Sequence, residues 1–167
     1  MTATDVRERV LGALSGLAVA VWLGGLVVLG AVVAPTVFHN VPAPHAADAM
    51  TLVFRRFDRI ALAAAGVSIV AEAFRARRGP TIVLLLVAAA LAAVEAIHFS
   101  PAIEALHRGG AIRGLGVAGA ELDAIHRWAE RLAKAEVLTL VAFVVARVNS
   151  VARGPSNGVG TRVPPVA

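Results

Sequence analysis

Between Val10 and Phe38 the chain runs for 29 residues without a charged side chain. About 20 apolar residues are enough for one helix to cross the hydrocarbon core of a bilayer, so this run is long enough to span it. A secretory leader is the rival reading, but its apolar region should measure only about 7–15 residues. Ala31-Val-Val-Ala34 is followed by Pro35, which makes a poor cleavage site, and an uncleaved span is expected. The rest of the chain agrees. Of the 167 residues, 58% are hydrophobic and 16% charged, with mean hydropathy +0.77, where a soluble domain carries about a quarter charged residues. Lipid is the expected solvent, and because lipid satisfies no backbone N–H or C=O, segments of these lengths must be helices.

The predicted architecture is an all-α integral-membrane four-helix bundle with helices over about 10–38, 50–74, 81–106 and 121–148. His39–Ala49 holds Pro42 and Pro44 and reads as a loop, since each proline removes a backbone donor. Helix two opens with an amphipathic stretch in which Phe54 and Phe57 suit an interface while Arg55, Arg56 and Arg59 snorkel to water. Arg75, Arg77, Arg78 and Gly79-Pro80 end it. Helix three stays apolar from Thr81 to Val94 and then turns polar at Glu95 and His98. A glycine-rich connection, His107–Ala120, leads to helix four, whose longest uncharged run is only Val137–Ala146; its first half belongs in the interface or packs its charges inward. Residues 1–148 thus form one transmembrane domain, and the Gly- and Pro-rich tail 149–167 is expected to be disordered.

Absence of cysteine excludes disulfides, thiolate nucleophiles, iron–sulfur clusters and Cys-type zinc sites. The net charge of +5 does not point to nucleic acid, because the arginines lie between long apolar runs and form no basic face on a water-exposed fold. With four alternating helices the sixteen basic residues divide equally between the two ends. The end holding both termini has the fewer acids, Asp5, Glu8 and Glu72, and this favours both termini in the cytoplasm, across the inner membrane of a bacterium. Gly12, Gly16, Ala20 and Gly24 form a small-residue stripe on helix one that lets a second helix approach closely, from within the bundle, from a membrane partner or from a second copy.

All five histidines, His39, His45, His98, His107 and His126, fall at or near the other end. Glu95 and His98 are three apart and share a helical face, and Glu130 follows His126 by four on helix four. Bundles present such carboxylate–imidazole pairs to iron or manganese, and the same donors suit zinc. Glu95, His98, His126 and Glu130 are therefore the candidate ligands for a transition metal, with His98 and His126 the candidate axial pair for a haem. The plain alternative is local hydrogen bonding on a polar half-helix. Glu95 is the least easily dismissed, because a carboxylate after LLLVAAALAAV lies within an apolar span. Gly114-Leu115-Gly116-Val117-Ala118-Gly119 matches a dinucleotide fingerprint formally, but no strand precedes it. No Ser-His-Asp order, P-loop or HExxH supports a hydrolase or a phosphoryl-transfer enzyme.

The run Trp22-Leu-Gly24-Gly25, then Pro35, Phe38, Pro42, Phe54 and Phe57, resembles four-span membrane domains of unknown function related to human transmembrane protein 205. The likeness continues from Glu95 to Pro101 and to His126 within LDAIHRW, and covers about 10–148. A looser likeness extends to copper-resistance and protoporphyrinogen-oxidase-like four-helix membrane proteins. The chain departs at Ala129 and Ala133, where the family often has Ser and then Asn. It also has Leu14 and Ser15 where some relatives carry an early histidine, a loss that argues against a haem oxidase. The resemblance implies the four-helix fold and no settled activity. The leading expectation is a non-enzymatic membrane protein that handles a small cation or metal or serves as an accessory subunit. The second is a membrane oxidoreductase component holding haem or metal through His98 and His126.

Overall fold

Residues 2–75 and 81–152 are described by the computed structural model, and all regular structure among them is helical. Four continuous helices emerge: α1 (Ala3–Asn40), α2 (Ala43–Ala73), α3 (Thr81–Arg108) and α4 (Gly116–Ala152). Each is longer than its apolar run, for local reasons. Helix α1 starts well before Val10 because Thr2 Oγ1 accepts from the Asp5 N–H at 3.3 Å while Asp5 Oδ2 accepts from the Thr2 N–H at 3.0 Å, a reciprocal capping box.

The loop expected over 39–49 shrinks to Val41 and Pro42. Pro42 is the N-cap of α2 and Pro44 falls in its first turn, where the missing N–H would have had no partner. The connection expected over 107–120 shrinks to 109–115, turned by Gly110, Gly114 and Gly116, whose φ values of 79°, 78° and 65° favour glycine. Helix α4 continues through Asn149 to Ala152, so these residues of the expected tail are helical. Residues 153–167, and the stop signals Arg77, Arg78 and Gly79-Pro80, lie outside the described residues.

Two helices widen by one π turn, at Leu29–Val33 and Glu95–Phe99, each just ahead of a proline, Pro35 and Pro101. A proline cannot donate to the fourth carbonyl before it, and its ring crowds that carbonyl. The chain responds with i→i−5 bonds, from the Ala34 N–H to the Leu29 carbonyl and from the Ser100 N–H to the Glu95 carbonyl.

Each helix packs on its successor and α4 closes on α1, an up-down-up-down bundle. The core is narrow. Val19 and Trp22 of α1 meet Phe57, Ala61, Ala64 and Ala65 of α2, Leu85, Ala88 and Ala92 of α3, and Leu140 and Phe143 of α4. Alanines on α2 and α3 let backbones approach, and Gly25 completes the fit: a Cβ there would overlap the Phe57 ring. On α4 the buried positions Leu122, Ala129, Glu136 and Phe143 recur every seven residues, the seam of a left-handed bundle.

Candidate functional site

The bundle centre is not purely apolar. Trp22 is fully buried, and its Nε1–H donates to Glu136 Oε1 at 2.6 Å, so the indole of α1 and the carboxylate of α4 satisfy each other. Asp58 of α2 accepts from Ser100 Oγ of α3 at 2.7 Å. Glu95 of α3 has one buried carboxylate oxygen, Oε2, without a hydrogen-bond partner. Its carboxylate feels the charges of both Glu136 and Asp58. Glu136, bonded to Trp22, and Asp58, bonded to Ser100, are thus the two carboxylates whose charge reaches Glu95, and none of the three is ion-paired among the described residues. Ionisable groups without a cation partner inside an apolar bundle are candidates for function.

Of the four ligands expected from the sequence, only Glu95 belongs to this set. His98 is exposed, with its imidazole edge-on against Phe99 at 5.1 Å. His126 is half-buried, its Nδ1 3.0 Å from the Leu122 carbonyl, and packs edge-on against His107 at 5.9 Å. Glu130 is exposed and lies 3.8 Å from Lys134. The π turn explains the divergence of Glu95 and His98, since a wider turn carries positions i and i+3 further apart around the axis. Among the described residues no three His, Asp or Glu side chains are arranged to hold a metal ion.

Sequence reasoning missed Asp58 and Glu136. Asp58 stands among Arg55, Arg56 and Arg59 and reads as interfacial; Glu136 closes a charged half-helix. The seven-residue spacing of Glu136 with Leu122, Ala129 and Phe143 was the available signal.

A second buried cluster closes the end that holds the N-terminus of α1. Glu72, only 4% exposed, accepts from Arg75 Nη1 at 3.0 Å and also from Arg147 Nη1 at 2.6 Å. Arg147 donates further to Ser15 Oγ at 2.9 Å and to the Gly12 carbonyl, so one guanidinium joins α4 to α1 and α2. This cluster is a clamp with its charges paired. At the opposite end Arg113 Nε donates to Asp123 Oδ1 at 2.7 Å, which ties the connection to the first turns of α4. That hydrogen bond, with the guanidinium charge, holds the Asp123 carboxyl below its ordinary range. The Gly114–Gly119 segment is a turn running into the start of α4, and a Cβ on Gly119 would overlap the Ile112 carbonyl.

The outer surface is largely apolar. Leu17, Val21, Leu86, Val94, Leu138 and Val145 are among the large hydrophobic side chains left exposed on α1, α3 and α4. By length and composition α1 and α3 are able to cross a membrane. On α1, Gly12 faces Arg147, whereas a Cβ on Gly16 or Gly24 would meet nothing.

A family model described as a domain of unknown function, DUF4149, matches residues 17–111, from the core-facing part of α1 to the connection after α3. No curated protein and no solved structure matches the chain. With more than half of its length matched, including Trp22, Asp58 and Glu95, the chain belongs to the DUF4149 family of uncharacterised domains.

Proposed function

We propose that this protein is a non-enzymatic four-span protein of a bacterial cytoplasmic membrane, with both termini in the cytoplasm, that exchanges protons at Asp58, Glu95 and Glu136. The apolar outer surface is the observation that carries the membrane reading, because patches of this extent are rare on soluble monomers. Every large side chain that would face lipid on α1 between Arg9 and His39 is uncharged. Helices α2 and α4 keep shorter uncharged runs and cross by burying Glu72 and Glu136, packing the half-buried Asp58 and Arg147 against their neighbours and snorkelling the rest. Kinship with the domains related to transmembrane protein 205, suggested by Trp22-Leu-Gly24-Gly25 and Pro101, is part of the same proposal.

Because the chain has no cysteine, single cysteines report sidedness directly. Val41→Cys and Ile112→Cys should label from the periplasmic face with an impermeant maleimide, and Asn149→Cys only after the cells are opened. Labelling of positions 41 and 112 from opposite faces ends the four-span reading. Exchange at the carboxylates is tested in proteoliposomes. A proton gradient should dissipate faster with the wild type than with Glu95→Gln at equal protein content, and equal rates would refute the exchange role.

A further inference from the structure

The outer face of α4 departs from the apolar surface around it. Trp128 is 55% exposed and the Arg131 guanidinium lies 4.9 Å from its ring centroid, a cation–π contact on the surface. Arg127 is exposed one turn before Arg131, on the same face. Neither arginine is ion-paired among the described residues, a state they share at this end with Arg56 and Arg59, while Arg55, Arg108, Arg113 and Lys134 have carboxylate partners. The acids nearest in sequence have closer partners: Asp123 accepts from Arg113, with the Arg127 charge also acting on it, and Glu130 faces Lys134. Two guanidinium groups outside any ion pair therefore flank an exposed indole, on the helix whose exposed apolar side chains resume at Leu138.

We propose that Arg127, Trp128 and Arg131 bind the headgroup of an anionic phospholipid. The inference rests on the membrane reading. Indoles favour the depth of the headgroups, and guanidinium groups bind phosphate oxygens bidentately. The charge of the site complements an anionic lipid and not a zwitterionic one. Occupancy accounts for a helix that keeps exposed cations so close to its apolar run: at headgroup depth they meet phosphate.

The full-length protein, reconstituted in phosphatidylcholine vesicles containing about 20% phosphatidylglycerol, is examined by tryptophan fluorescence with brominated acyl chains on one lipid or the other. Trp22, buried in the bundle, supplies a constant background, so quenching reports Trp128. Brominated phosphatidylglycerol should quench severalfold more per mole than brominated phosphatidylcholine. Arg127→Gln with Arg131→Gln should make the two equal while the helical circular dichroism stays unchanged. Equal quenching in the wild type overturns the lipid site, as does loss of the preference on adding inorganic phosphate, which would reassign the arginines to the free anion. Quenching by neither lipid instead removes the membrane reading beneath it.

Discussion

At the scale of single residues, adjacent glycines have opposite duties. Gly25 faces the Phe57 ring and Gly24 faces open space. Gly25→Ala should overpack the α1–α2 contact and destabilise by about 1–3 kcal/mol, whereas Gly24→Ala should be neutral or stabilise by up to about 1 kcal/mol through helix propensity. Thermal unfolding in detergent, followed by circular dichroism, checks both, and equal effects would show that the ring contact carries nothing. Composition does not separate the two, since the periodic stripe includes Gly24 and omits Gly25. The same holds for the carboxylates. Glu95 is conspicuous because its own helix is apolar ahead of it, while Glu136 and Asp58 are masked by neighbouring charges and become inward groups only when Trp22 and Ser100 face them.

At the scale of helices, proline placement decides geometry. Pro42 and Pro44 begin a helix because they occupy its cap and first turn, and Pro35 and Pro101 widen helices because they lie inside them. Pro101→Ala restores a donor for the Ile97 carbonyl, so the π turn should relax to α. Amide exchange over residues 97–102 should then slow by on the order of tenfold or more, and unchanged exchange would mean that packing around Glu95 holds the wide turn. At the α3–α4 connection, the Arg113–Asp123 clamp makes the joint sensitive to acid. Since the folded carboxyl lies below its ordinary value, the clamp contributes fully above pH ~4 and fades as pH falls through the lowered value. Exchange in 109–115, corrected for its intrinsic pH dependence, should accelerate below pH ~4 in the wild type, and Asp123→Asn should show the fast rate already at neutral pH.

At the scale of the whole molecule, Arg147 ties α4 to α2 through its ion pair with Glu72 and to α1 through hydrogen bonds to Ser15 and the Gly12 carbonyl. Arg147→Met leaves Glu72 with Arg75 alone and strips Ser15 and Gly12 of their donor, so it should destabilise by about 1–3 kcal/mol, and adding Glu72→Met should cost less than the sum of the two single losses. Unfolding midpoints of the single and double variants test this, and additive losses would refute the pairing. The amino-acid sequence by itself determined the helical class, the count of four helices and the concentration of histidines at one end, because hydropathy and periodicity are properties of local stretches. Tertiary structure alone decided which polar groups meet. It set Glu95 beside Asp58 and Glu136, turned His98 outward and brought Arg147 to Glu72 from 75 residues away. Such pairings depend on how the helices are rotated about their axes, and that rotation is chosen by packing around Trp22 and Phe57 and by the proline-induced π turns, which shift each later side chain around the helix.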